Sequence, residues 1–173
     1  MGNVEEQMKE KRYIFLDADG VLNHQSDWSR LYVLNPENLS AFGAFVDHLR
    51  EKYEVQVILS TNWRIGFSKS YAACSAPIQE ILRFLRKHGI TSVDATEMRD
   101  DADRGAEVGA YIRDHDLAPK DCIVIDDDIE LFRTPLPHGV RMIHTDPRYG
   151  FRNEEEKSGL ARLIERIRSM FRG

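Results

Sequence analysis

A chain of 173 residues, 42% hydrophobic and 31% charged, is long enough for one domain with a real core and has the make-up of a soluble globular protein. The formal net charge of −5 argues against indiscriminate nucleic-acid binding but not against a local basic groove. No apolar run approaches a membrane span, so no membrane partner is expected.

Two cysteines, Cys74 and Cys122, offer no disulfide framework and point to a reducing, cytoplasmic setting. Cys122 opens an apolar run and should be buried as a thiol. The segment Met1 to Arg12 is charged and lacks the apolar centre of a signal peptide; Glu6 stands where a myristoylation signal needs Ser or Thr. Residues 1–11 are expected to be a flexible lead-in.

The first strand is Tyr13-Ile14-Phe15-Leu16, an apolar run that ends in Asp17-Ala18-Asp19-Gly20-Val21-Leu22-Asn23. Asp17 then sits at a strand's C-terminal end, where open α/β sheets place ligands, and Gly20 permits the immediate turn. Two carboxylates one residue apart repel each other. A divalent cation with oxygen ligands offsets that charge most simply. The competing reading is a strand that ends in an ordinary polar turn.

Asn23 to Leu34 reads as a loop, carrying Trp28 and Tyr32. Asn35 and Pro36 start a helix that buries Leu39, Phe42, Phe45, Val46 and Leu49 and ends near Lys52. Val55 to Leu59 is the second strand, tipped by Ser60-Thr61-Asn62-Trp63-Arg64. After a loop, Ala76 to His88 is a second helix with Ile78, Ile81, Leu82 and Leu85 inward and Gly89 as its stop. Thr91 to Asp94 is a short strand. The charged turn Asp101 to Arg104 opens a third helix with Val108, Tyr111 and Ile112 inward. Cys122 to Ile125 is a buried strand that ends in Asp126-Asp127-Asp128. Val140 to Ile143 is the fifth strand, and a last helix is expected from about Glu154 to Phe171.

Strands alternate with helices, which predicts an α/β fold: a Rossmann-like parallel sheet of about five strands, with helices on both faces, in a single domain over residues 1–173. In such a sheet all C-terminal tips lie on one edge. The sets Asp17/Asp19, Ser60/Thr61/Asn62 and Asp126/Asp127/Asp128 therefore converge, although they are far apart in sequence.

These residues resemble the motifs of the haloacid dehalogenase (HAD) superfamily of phosphotransferases. Asp17-Ala18-Asp19-Gly20-Val21-Leu22 looks like its first motif, the tip hydroxyl like its second, a basic residue at a helix start like its third, and Ile123-Val124-Ile125-Asp126-Asp127 like its fourth. Within the superfamily, Thr61-Asn62-Trp63-Arg64, Arg104 with Glu107, and the closing Thr145-Asp146-Pro147-Arg148-Tyr149-Gly150 resemble small HAD domains associated with polynucleotide and RNA repair.

The resemblance implies a Mg²⁺ site formed by Asp17, Asp126 and Asp127, with Asp126 favoured as the direct ligand and Asp19 contributing its backbone carbonyl. Asp17 would be the nucleophile that forms an aspartyl-phosphate. Asp19 would protonate the leaving alcohol and then take a proton from the hydrolytic water; a halide needs no such acid, so Asp19 favours phosphate chemistry. Thr61 is the preferred phosphate-binding hydroxyl, with Ser60 as the alternative, and Asn62 stands beside them. Arg104 is the candidate for holding the transferring phosphoryl group; Lys87 competes but falls late in its helix. Arg64 either touches substrate phosphate or pairs with surface carboxylates. Trp63 reads as packing, His144 as a core or rim histidine, and Asp128 as a helix cap. Arg148, Arg152, Arg162, Arg166, Arg168 and Arg172 read as a solvated basic face rather than a nucleic-acid track.

The intervals between motifs leave no room for a substantial cap domain. The expected protein is a monomeric, capless, Mg²⁺-dependent phosphatase, open enough for a phosphorylated nucleic-acid end or a nucleotide, with residues 24–34 as a local flap. The competing readings are a receiver-like signalling module that carries phosphate without turning it over, and a degenerate HAD domain used for binding.

Overall fold

A computed structural model describes residues 9–152. The expected last helix, and with it Arg162, Arg166, Arg168 and Arg172, lies outside the described residues. Among the described residues, five strands and three α-helices follow in the order β1 (Lys11–Leu16), α1 (Pro36–Arg50), β2 (Glu54–Leu59), α2 (Ala76–Lys87), β3 (Val93–Ala95), α3 (Arg104–Asp114), β4 (Cys122–Asp126) and β5 (Arg141–His144). The strands form one parallel sheet in the order β3-β2-β1-β4-β5.

Local chemistry explains where the helices begin. The Asn35 side chain accepts from the backbone N–H groups of Glu37 and Asn38, and Pro36 takes the first helical position, where no N–H is needed. Asp103 caps α3 by accepting from Ala106 N. Several boundaries differ from expectation by one or two residues. Helix α1 stops two residues before Lys52, and β1 begins two residues before Tyr13, inside the expected lead-in. The reason for the early strand is Arg12. It is buried, but its guanidinium pairs with Asp121 at 3.0 Å and lies 4.0 Å over the Tyr53 ring, so the charge is compensated.

The alternation along each strand sorts the core into two layers. Ile14 and Leu16 of β1 stand in register with Val57 and Leu59 of β2 and with Ile123 and Ile125 of β4, and this face is covered by Phe42, Phe45, Val46 and Leu49 of α1 and Ile78, Ile81 and Leu85 of α2. Phe15, Ile58 and Val124 point the other way and meet Val108, Tyr111 and Ile112 of α3. Tyr111 sets its ring edge-on to Phe15 at 5.6 Å and donates its hydroxyl to Asp94 at 2.9 Å. No α-helix connects β4 to β5; Phe132, Leu136 and Val140 of that connection pack beside α3 instead.

Cys122 is buried as a thiol, and burial pushes its pKa up to about 12. Neither the interval from Asn23 to Tyr53 nor that from Gly66 to Asp103 holds a cap: the first contains α1 and one short turn, the second α2, β3 and one short turn besides the end of the Asn62–Gly66 turn. Among the described residues no helix is long and apolar enough to cross a membrane.

Candidate active site

Strand β1 is central: the chain leaves it for β2 and β3 on one side, then crosses from β3 to β4 on the other. That is the switch point where open sheets form a crevice. The ladder continues past the strand ends: Asp17 N donates to Ile125 O at 3.0 Å, Ser60 N to Leu16 O at 2.9 Å and Thr145 N to Asp126 O at 3.0 Å. The three tips are thus stitched side by side. After Asp17 the chain turns sharply, with Leu22 N donating to Ala18 O at 2.8 Å and with Val21 and Leu22 fully buried as anchors. Gly20 makes the turn at φ +71°, and a Cβ there would stand 2.2 Å from Asp127 Cγ. Glycine is required both for the backbone and for the approach of the Asp127 carboxylate.

Oxygen atoms of Asp17, Asp126 and Asp127 lie within 4.8 Å of one another. Asp17 and Asp126 are buried, as is Arg104, whose Nη1 lies 2.6 Å from Asp126 Oδ2 and 3.2 Å from Asp17 Oδ2. Burial raises Asp17 well above the usual carboxylate range, with the charges of Asp126 and Asp127 adding to it and Arg104 opposing it. Burial likewise raises Asp126 against the pull of Arg104. Asp127 is pushed up to about 6 by burial and then by the Asp126 charge. Three carboxylates against one guanidinium leave two negative charges uncompensated when all are ionised. An all-oxygen donor set with that deficit fits a hard divalent cation.

Arg104 is placed by the start of α3. The Asp103 carboxylate that caps the helix also accepts from Thr134 N at 3.1 Å and Thr134 Oγ1 at 2.7 Å. Gly105 lets the Thr134 carbonyl approach where a Cβ would be 1.8 Å away.

Asp19 lines the same cavity but stands apart from the three-carboxylate cluster. Its Oδ2 accepts from Trp63 Nε1 and its Oδ1 from Asn23 Nδ2, both at 2.9 Å. The cavity measures about 490 Å³ and is lined by Asp17, Asp19, Thr61, Asn62, Arg104 and Asp127, among others. Thr61 lines it and Ser60 does not; Ser60 Oγ is buried without a hydrogen-bond partner among the described residues. Asn62 is exposed at the cavity wall.

Arg64 corrects the expectation. It neither lines the cavity nor reaches the surface. Its guanidinium is buried and each of its three nitrogens donates within the protein, to Thr96 O at 3.1 Å, Thr61 O at 2.7 Å and Glu107 Oε2 at 2.6 Å. Glu107 was legible only as a neighbour of Arg104 one turn on; the contact with Arg64 is made in the fold. Lys87 is exposed at the end of α2 and does not line the cavity. Asp128 caps the turn after β4 by accepting from Glu130 N at 3.0 Å. His144 donates from Nε2 to Asp127 O at 2.8 Å, at the rim of the cluster.

Sequence reasoning missed part of the mouth. Besides Trp28 and Tyr32 of the expected flap, Arg30, Leu31, Ile65 and Leu131 line it. Leu31 and Ile65 are 82% and 77% exposed, and nothing in their spacing marks them.

A profile of the family described as "HAD domain in Swiss Army Knife RNA repair proteins" matches residues 13–155. The chain belongs to that family. The match spans all three strand tips and Arg104, the residues that this HAD domain brings to one crevice. A crystal structure described as that of a HAD-like phosphatase from Mesorhizobium loti is similar at 17% identity and a TM-score of 0.48, over 94% of this chain and 88% of that one. No curated protein matches the chain.

Proposed function

We propose that this HAD domain is a Mg²⁺-dependent phosphatase that works through an aspartyl-phosphate on Asp17. One observation carries the reading: buried Asp17, Asp126 and Arg104 meet half-buried Asp127 in a single cluster, and Asp19 lines the same cavity beside it.

Asp17, Asp126 and Asp127 would hold the cation, whose chemistry is to neutralise phosphate oxygens and orient the phosphorus. Asp17 attacks the phosphorus in line and displaces the alcohol. Asp19 gives the leaving oxygen a proton, then recovers one from the water that cleaves the acyl-phosphate, releasing inorganic phosphate. Arg104 and the Thr61 hydroxyl bind oxygens of the transferring group. Asn62, exposed beside Thr61, contacts substrate at the wall.

The leading substrate class is a phosphorylated nucleic-acid end or a nucleotide. Three features support it: among the described residues no cap covers the crevice, Trp28 and Tyr32 expose ring surface at its mouth beside Arg30, and the family is described from RNA repair proteins.

The test is phosphate release from a panel of an aryl phosphate, nucleotides, 3′- and 5′-phosphorylated oligonucleotides and a phosphopeptide, with and without Mg²⁺. Turnover that needs Mg²⁺ and is abolished in Asp17→Asn is expected. A folded protein that releases phosphate from none of them would refute the reading in favour of a binding or signalling domain.

A further inference from the structure

Asp19 is held by more than its own strand tip. Each carboxylate oxygen accepts one hydrogen bond at 2.9 Å, from Trp63 Nε1 and Asn23 Nδ2. An indole nitrogen is a donor only. The orientation of the Asn23 amide is equally fixed: Gly20 N and Trp28 Nε1, both donors, point at one atom at 3.0 and 2.9 Å, so that atom is the oxygen. The amide nitrogen then faces Asp19 and the Val33 carbonyl, the latter at 2.8 Å. Asn23 has no capacity left over and is 1% exposed. Both supports of Asp19 are in turn braced by the loop at the mouth. Trp28 donates to Asn23, and Tyr32 sets its ring edge-on to Trp63 at 5.2 Å and 85°. Tyr32 does so at φ +59°, a conformation that side-chain-bearing residues rarely adopt.

We propose that Trp63 and Asn23 are positioning residues that aim the Asp19 carboxyl at the leaving-group oxygen, and that the 24–34 loop locks them through Trp28 and Tyr32. The inference rests on the phosphatase reading. In the first step the Asp17 oxygen–phosphorus bond forms as the phosphorus–alkoxide bond breaks, and the alkoxide takes the Asp19 proton. With one lone pair on each oxygen committed to a neutral donor, the proton has a restricted direction in which to point. The Trp63 indole and the Asn23 amide gain and lose no proton; they fix the direction of the carboxyl without entering the transfer.

Leaving-group dependence separates this role from a structural one. An alkyl phosphate expels a strongly basic alkoxide that needs the proton; an aryl phosphate with an electron-withdrawing ring expels a stable phenolate that does not. The readout is kcat/KM with Mg²⁺, which reports the steps through leaving-group departure. Asp19→Asn sets the scale, with a loss of about 100-fold or more on the alkyl ester and a much smaller one on the aryl ester. Trp63→Phe keeps the ring packing and removes the N–H; it is expected to lose about 10-fold on the alkyl ester and less than about 3-fold on the aryl ester. Trp28→Phe, at a site 42% exposed and safe for folding, should show the same selectivity at about 3-fold.

Equal losses on both esters, or none on either, would overturn the proposal, and Trp28→Phe decides it if Trp63→Phe does not fold. A wild-type protein inactive on every phosphate would instead remove the phosphatase reading and this inference with it.

Discussion

The acidic cluster sets the chemistry and weakens the fold that carries it. Asp127 titrates at about 6 in the folded chain against an ordinary 3.8, because burial and the Asp126 charge disfavour its ionised form. Between those values the folded state binds more protons than the unfolded one, so stability falls as pH rises from about 4 through about 6. Asp17 and Asp126 shift in the same direction and steepen the trend. The metal-free protein is therefore expected to melt at a higher temperature near pH 5.5 than at pH 8, by a few degrees. Added Mg²⁺ should recover the loss at pH 8. Asp127→Asn removes one repelling charge. Its metal-free melting temperature at pH 8 should rise by about 2–6 °C while its response to Mg²⁺ shrinks, both read by differential scanning fluorimetry. A wild-type melting temperature that climbs steadily from pH 5.5 to 8 without metal would contradict this account. Gly20→Ala probes the same carboxylate from the other side. Its Cβ would meet the Asp127 side chain, and its backbone would be held at φ +71°, so a stability loss of about 1–2 kcal/mol in urea and at least about 10-fold lower turnover are expected.

At the scale of elements, the buried Arg64–Glu107 pair ties the tip of β2 to α3. Arg64 holds the Thr61 carbonyl, and Glu107 lies one turn after Arg104. Glu107 also accepts from Arg99 N at 2.8 Å, fixing the approach to α3. Glu107→Ala strands a buried guanidinium, so a loss of about 3–5 kcal/mol is expected, measured by urea denaturation; a loss below about 1 kcal/mol would show that the link is not structural. The pair also marks where the sequence stopped being readable. The strands and helices were legible because each declares itself locally: β4 by an unbroken apolar run, α1 by Asn35-Pro36 and its helical spacing, the acidic tips by carboxylates at strand ends. Arg64 was not, because a basic residue after a strand tip reads the same whether its partner is phosphate, solvent or a carboxylate 43 residues on. Arg12 failed as a strand marker for the same reason, since Asp121 and Tyr53 reach it only in the folded chain. Asn23 was read as the start of a loop, yet the turn at Gly20 makes it a support of Asp19.

For the whole molecule, the formal charge of −5 repels a polyanion at a distance. If a nucleic-acid end is the substrate, attraction must come from contacts at the crevice itself. Arg30 is suited to this: it is exposed, lines the mouth beside Trp28 and Tyr32, and lies outside the buried cluster of Arg104. With no cap among the described residues to exclude a chain, a phosphorylated oligonucleotide should be turned over at least as efficiently as a small alkyl phosphate. The excess should reside in kcat/KM and fade as salt rises from 50 to about 200 mM, because it comes from screened phosphate contacts. Arg30→Ala should erase most of the oligonucleotide's advantage, about 3- to 10-fold, while the small ester changes little, since a side chain at the mouth and outside the buried cluster is placed to meet a polymer beyond the reacting phosphate. Equal loss on both substrates would place Arg30 at the phosphoryl group. An oligonucleotide advantage that survives both high salt and Arg30→Ala would mean that ring stacking on Trp28 and Tyr32, rather than charge, recruits the chain.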